Sequence, residues 1–420
     1  MSILPPLSAF DSSLALLREG YAFISNRCDR LDSDVFATRL FLQPILCLRG
    51  QAAVELFYRE ERFTRVDAAP RSLRQTLFGE GGVQGLDGAA HRQRKALFLE
   101  ITRPARVEAL ITRVEREWRA RLPSWQSRGE IILLDELHRL YTRAVCDWAG
   151  VTLAPEEEGQ RCADLVALLE GAGSPGLANL GARRARRRLE RWLGGQVEQA
   201  RKQPAPTGSA LALIAQHREP DGQPLSPRVA AVELLNVLRP TVAVARFSTF
   251  AALALYKQPA WRERLRADPA ARLPFAQEVR RFYAFFPFTV ARVRETFEWH
   301  GVAFRRGTCV LLDLYGTNRD PRSWERPEVF EPTRFVAEAI PAAAFVPQGG
   351  GDVAHQHRCP GEGIALALMT SALRLLLQDM TYQVPTQDLR IDLARMPMRP
   401  ASGLILSEVQ AVQRTRSSVA

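Results

Sequence analysis

The sequence predicts a mainly α fold with a small β region towards each end of the chain, and three observations carry that prediction. Between about 105 and 200, apolar residues recur every four positions, with Leu110, Val114, Trp118 and Leu122 on one face. From Ser226 to about Lys257 the chain reads as one helix of roughly 30 residues, about 45 Å long. Strand-like runs rich in Leu, Ile and Phe are confined to residues 39–64, around Gly50, and to Phe297–Asp313.

Taken in order, the elements follow from local chemistry. The 39–64 strands flank a short helical piece, and the helical region after 105 ends at the loop Gln203–Gly208 (QPAPTG). A second loop, Glu219–Leu225, leads to Ser226-Pro227, an N-cap residue followed by proline at the first helical position. A charged helix spans Arg272–Phe282, the Pro-rich stretch DPRSWERPEVFEPTRF follows the later strands, and the glycine run Gly349–Gly351 precedes a last helix that begins after Cys359. No segment reads as a linker or an internal repeat, so residues 1–420 are expected to form one domain.

Composition narrows the function. Hydrophobic residues at 46% and charged residues at 25% exclude wholesale disorder. No run approaches the ~18 uncharged apolar residues of a membrane span. MSILPPLSAF lacks the basic start of a signal peptide, so a soluble, cytoplasmic protein is expected. The net charge of +11 raises the idea of nucleic acid, but only Lys95, Lys202 and Lys257 are lysines and the arginines spread over the whole chain, a skew that fits genomic base composition better than a binding footprint. The densest cluster, Arg183, Arg184, Arg186, Arg187 and Arg188, reads as a solvated helix face, or as a surface for an acidic partner or membrane. Cysteines 28, 47, 146, 162, 309 and 359 form neither a disulfide framework nor a zinc spacing.

Cys359 is the most informative residue. The extended, glycine-rich run from Phe345 to Gly351 leads to it, and Pro360-Gly361-Glu362 and an apolar helix follow. A sulfur at a helix N-terminus is placed to be a thiolate and to ligate a metal; a buried structural cysteine is the competing reading. Upstream, Glu278 and Arg281 lie three apart on one helical face, ordinarily a surface pair, and Arg334 in Pro332-Thr333-Arg334-Phe335 is able to join the same carboxylate.

In this order, the Glu-x-x-Arg helix, the Pro–Thr–Arg segment and the cysteine loop resemble the cytochrome P-450 superfamily. The resemblance runs along nearly the whole chain, including DPRSW and His91-x-x-Arg94-Lys95. It implies the cytochrome P-450 fold and haem b (iron protoporphyrin IX), with Cys359 as the iron ligand. His91, Arg94, Lys95 and His357 would hold the propionates. Mid-helix, where oxygen-activating members carry an acid–alcohol pair, this chain reads Leu238-Arg239-Pro240-Thr241-Val242-Ala243. With Arg239-Pro240, PQGGGD, HRCPGEG and LLDLYGTNRDP, it is similar to the fatty-acid peroxygenase branch.

That resemblance implies a peroxygenase of lipid metabolism that uses hydrogen peroxide to hydroxylate long-chain fatty acids at the α or β carbon, with no obligatory redox partner. Arg239 would bind the substrate carboxylate above the haem, and that carboxylate would move the proton that the protein has no acid to move. Pro240 would bend the helix. Gln84 would orient the substrate head, as in hydroxylating members, where decarboxylating members have histidine. Leu77, Phe78 and Phe288 would line the acyl channel; core packing is the alternative for Leu77 and Phe78, and a solvent-facing loop for Gln84. Gln356 stands where branch members have glycine, at a cost of about 1–2 kcal/mol if that glycine uses positive φ. Decarboxylation to terminal alkenes, a ferredoxin-fed monooxygenase, and a non-catalytic sensor or fatty-acid carrier are the other functional readings.

Overall fold

The protein is represented by a computed structural model describing residues 10–172, 176–203, 205–337 and 339–412. The start MSILPPLSAF up to residue 9, and the terminal RTRSSVA, lie outside the described residues.

Helices build most of the core. The faces of Pro104–Arg128, Leu133–Ala149, Leu177–Lys202, Pro227–Ala243, Ala245–Lys257 and Glu362–Gln378 meet in one apolar cluster. The predicted stripe Leu110, Val114, Trp118 and Leu122 is buried there. A five-stranded sheet runs in the order Val35–Leu40, Gln43–Leu48, Cys309–Asp313, Phe288–Val293, Phe63–Thr64. Its one parallel pairing joins Gln43–Leu48 to Cys309–Asp313 and ties the two ends of the sequence together. A three-stranded sheet orders Glu130–Ile132, Ile405–Ala411 and Met380–Gln383.

Three expectations change. The strand Phe288–Val293 alternates, with Phe288 and Val290 on one face and Ala291 and Val293 on the other. Phe288 therefore packs on the N-terminal cluster with Leu16 and Phe23, not on the acyl side. The Glu278–Arg281 pair, whose spacing taken alone is usually a surface feature, is fully buried. Within the arginine cluster, Arg184 and Arg187 are exposed as expected, but Arg186 is buried.

The long helix positions the site. Ser226 caps it by accepting from the Val229 N–H at 3.2 Å, and Pro227 takes the first helical position. By length and composition Pro227–Lys257 would cross a membrane, yet 94% of its most apolar window is buried, so it is a core helix. It runs as two segments, Pro227–Ala243 and Ala245–Lys257, on either side of Val244. Pro240 has no N–H to give the preceding turn, and the Val244 N–H bonds Thr241 in a tighter three-residue step at 3.2 Å. The Thr241 hydroxyl donates back to the Val237 carbonyl at 2.9 Å, so it is spent within the helix.

Candidate functional site

The cysteine loop is built from both sides. Gly349 has φ +93, and a side chain there would meet the Tyr58 hydroxyl at 2.8 Å, so the run needs glycine. The Gln348 carbonyl accepts the Cys359 N–H at 3.2 Å, and the Gln348 amide donates to the Cys359 sulfur at 3.6 Å. Burial pushes the Cys359 thiol up, against the Gly361 N–H and the Lys95 cation, so the helix start alone does not make the thiolate expected from its position. Gln356 is not among the residues with positive φ, and the strain anticipated there is absent. Its side chain accepts from the Asp352 N–H at 2.7 Å and donates to the Tyr58 carbonyl at 2.6 Å, which closes the loop.

The propionate set divides. His91 stacks on His357 with ring centroids 3.9 Å apart, and burial pushes the two rings down to about 3 and about 4, so both are neutral. His91 Nδ1 is buried without a partner. Lys95, expected on a propionate, instead donates to the carbonyls of Gln356 (2.9 Å) and Arg358, bracing the cysteine loop. Arg94, also expected there, is committed to two carboxylates: Glu233 at 2.5 Å, and Glu219. Its guanidinium is the counter-ion of a buried acid. Arg65, which sequence reasoning missed, is buried beside Asp87 and His357 and stacks over Phe57 at 4.2 Å.

On the opposite side, Glu233, Asn236 and Arg239 fall at i, i+3 and i+6 of an otherwise apolar helix. Glu233 accepts from the Val83 N–H (2.9 Å), from Arg94 and from Asn236 (3.0 Å). Asn236 also donates to Gln84 Oε1 at 3.2 Å, so Gln84 is held towards this helix and is not a free loop side chain. Glu233 and Asn236 were legible as polar residues spaced by three ahead of Arg239.

Arg239 is 5% exposed, its Nε has no partner, and no hydrogen bond or ion pair to it is found among the described residues. Burial, with Arg186 nearby, pushes the guanidinium down to about 9, still cationic at neutral pH, while the Cys359 sulfur pulls the other way. The Cys359 sulfur is thus near enough to Arg239 for the two charges to interact in the interior. Pro240 stands beside Arg239 at the bend. Leu77 is buried with Leu169, Ala172 and Ala243, and Phe78, Phe285 and Phe286 pack against them. Phe285 and Phe286, three and two residues before Phe288, thus pack on the Leu77 side where Phe288 was expected. Arg186 fastens the Leu77 turn by donating to the carbonyls of Thr76 (3.1 Å) and Leu77 (3.0 Å).

These residues fit a haem iron. A buried thiol that stays above its ordinary value despite the Lys95 cation suits a metal, which deprotonates a coordinated thiol outright. The orphaned His91 nitrogen and buried Arg65 suit acidic substituents at the group's edge.

Comparison with known proteins agrees. The cytochrome P450 family model matches residues 275–406, the part that holds Glu278, Arg281, Arg334 and Cys359. A solved structure of cytochrome P450SP alpha (CYP152B1) is 47% identical, covers 96% of this chain and 100% of its own, and superposes with a TM-score of 0.94. Cytochrome P450EX alpha (CYP152N1), solved with myristic acid, is 40% identical over 98% of this chain and 100% of its own, at a TM-score of 0.94. Cytochrome P450 OleT, solved with arachidonic acid, is 32% identical over 99% of this chain and 100% of its own, at a TM-score of 0.95. With likeness of this extent along the whole chain, and a cysteine loop and buried Glu–Arg pair to match, the protein belongs to the cytochrome P450 family, among the CYP152 haem-iron oxidoreductases.

Proposed function

We propose that the protein is a single-domain, cytoplasmic peroxygenase that uses hydrogen peroxide to hydroxylate long-chain fatty acids at the α or β carbon. The observation that carries the reading is Arg239, a buried cation on an apolar helix with no counter-ion among the described residues. An unpaired buried charge costs several kcal/mol, so a site built this way is completed by an anion from outside. The fatty-acid complexes of CYP152N1 and OleT supply a chemically matching one.

Haem b ligated by Cys359 would supply peroxide O–O cleavage and C–H oxidation. The rest belongs to the chain. Arg239 binds the carboxylate and holds it in the interior, where it is positioned to take a proton from one peroxide oxygen and return it to the other. That task needs a base, and none is free there among the described residues: Thr241 is spent on Val237, and Glu233 on Arg94 and Asn236. Fixing the head group also fixes the Cα and Cβ hydrogens, a positioning effect. Leu77, Phe78, Phe285 and Phe286 bury the tail and exclude water, each methylene contributing about 0.8 kcal/mol. Gln84 orients the head, while His91, His357 and Arg65 receive the propionates. The net reaction consumes one peroxide and one C–H bond and gives the hydroxy acid and water, so no reductase is required.

Gln84 favours hydroxylation, because a neutral amide does not assist the proton movement that accompanies loss of carbon dioxide. The test is turnover of myristic acid by haem-loaded protein with hydrogen peroxide and no reductant, with products resolved by gas chromatography. Hydroxy acids are expected. Terminal alkene as the main product would make the protein a decarboxylase, and a requirement for reductase and NAD(P)H would make it a conventional monooxygenase.

A further inference from the structure

Arg239 has a counterpart. Arg239, Ala243 and Arg246 fall at i, i+4 and i+7, so they share one face of the paired helices, with the two arginines about 10 Å apart along the axis. Ala243 belongs to the apolar cluster of Leu77, Leu169 and Ala172. The helix face that adds Ala243 to this apolar cluster thus also carries two buried guanidiniums.

The second one lies in a cluster with excess positive charge. Arg246 is 1% exposed; it pairs with Glu170, yet its Nε and Nη1 have no hydrogen-bond partner. Arg395 takes the other Glu170 oxygen at 2.6 Å, and Arg399 acts on both Glu170 and Arg246. Three guanidiniums thus share one carboxylate. His138 is uncharged: burial, with Arg246 and Arg399 nearby, pushes the ring down to about 3. Two links tie the cluster to the apolar residues. Glu170 sits between Leu169 and Ala172 in sequence, and Tyr21, whose hydroxyl donates to the Phe285 carbonyl, is near enough to Arg246 for charge interaction. Arg395 and Glu170 are partly exposed, so the cluster also opens towards solvent.

We propose that Arg246, with Arg395 and Arg399, forms a second carboxylate-binding subsite at the tail end of the acyl pocket, fitted to the far carboxylate of a long-chain α,ω-dicarboxylic acid. This rests on the reading of Arg239 as head-group anchor and adds a substrate class to it. Two carboxylates answer the unpartnered Arg239 and the two unpartnered Arg246 nitrogens at once, whereas a monoacid leaves Arg246 sharing Glu170 and sets its methyl end against charge.

The test is calorimetric titration of the haem-loaded protein with dodecanedioic and hexadecanedioic acids, their monomethyl esters, and the matching monoacids, alongside peroxide turnover of myristic acid. At least one diacid is expected to bind about tenfold or more tighter than its monomethyl ester, as a charge-assisted pair to a buried guanidinium gives. Arg246→Leu should erase that gain while changing monoacid affinity far less, and Arg399→Gln should reduce it if Arg246→Leu fails to fold. Glu170→Gln, which removes the competing carboxylate, should enlarge it. Equal binding of diacid and ester at both lengths would overturn the subsite, with monoacid turnover intact. So would a loss of diacid and monoacid binding in parallel in Arg246→Leu, the mark of a structural cluster or of a transit point for any acid. Failure of the monoacid to bind or turn over would instead sink the head-group reading and this subsite with it.

Discussion

Two buried arginines, Arg281 and Arg239, have the same side chain and nearly the same burial but opposite surroundings. Arg281 gives all five of its N–H donors to protein acceptors: both Glu278 oxygens at 2.7 Å, and the carbonyls of Asn318 (3.1 Å), Pro327 (2.9 Å) and Val329 (3.2 Å). Arg239 has no such partner among the described residues. The difference teaches that satisfaction, not burial, separates an arginine that holds the fold from one that waits for a ligand. A complete donor set locks the segment carrying Asn318 to Val329 onto the Arg272–Phe282 helix. An empty donor set is a cost carried by the ligand-free protein.

The largest effect should come from the satisfied arginine. Arg281→Met strands the Glu278 carboxylate in the interior with, among the described residues, the Glu331 N–H at 2.7 Å and Arg334 at 3.7 Å left near it. Stability should fall by about 3–5 kcal/mol, read as the denaturant midpoint of the haem-loaded protein. Arg239→Met should do the reverse. It removes an uncompensated charge, so the ligand-free protein should be no less stable, while fatty-acid oxidation falls by about two to three orders of magnitude. A destabilisation by Arg239→Met equal to that of Arg281→Met would break the comparison.

Much of this contrast was legible in the sequence. Cys359, Arg239 and the Glu278–Arg281 spacing are carried by local pattern, and so is the cap at Ser226-Pro227. What was not legible depends on where elements cross. Arg94 and Lys95 are neighbours on one helix, yet one turns to Glu233 on the distal helix and the other to the cysteine loop, and no local spacing distinguishes them. Phe288 was misread because strand alternation sends it to the N-terminal cluster, while Phe285 and Phe286, outside the strand, reach the Leu77 cluster. Arg186 looked like its exposed neighbours until the Thr76 and Leu77 carbonyls supplied its partners.

A third buried charge sharpens the rule with pH. Asp313 has neutral donors only, the Ser25 hydroxyl at 2.6 Å and the Gly316 N–H at 2.7 Å, and burial pushes its carboxyl up from 3.8 to about 6. Between about pH 4 and 6 the folded protein keeps a proton that the unfolded chain has released, so this group's contribution to stability falls as pH rises through that window and stays level above it. Two units at 1.36 kcal/mol each give about 3 kcal/mol. Asp313→Asn preserves an acceptor for Gly316 and a partner for Ser25 but cannot ionise. Melting temperature against pH should therefore decline between about pH 4 and 6 more steeply in the parent than in the variant. Parallel curves would show that partial satisfaction already suffices.

The smallest effect tests whether Gln84 acts through its neighbours. Glu233 receives three donors, and one of them is the Asn236 amide nitrogen at 3.0 Å; this fixes which way the Asn236 amide points and leaves its oxygen without a partner. The second N–H of that nitrogen then meets Gln84 Oε1 at 3.2 Å. Gln84 is accordingly set with its own N–H2 free to donate, the orientation needed to meet a carboxylate held by Arg239. Asn236→Leu should release that orientation, lowering kcat/KM for a fatty acid by about five- to tenfold, near the value of one neutral hydrogen bond. Gln84→Leu should cost about the same, and the double variant little more than either, because the two residues act as one unit. Costs that simply add would mean that Gln84 meets the substrate without help from Asn236, and the relay from Arg94 through Glu233 to the substrate head would end at Asn236.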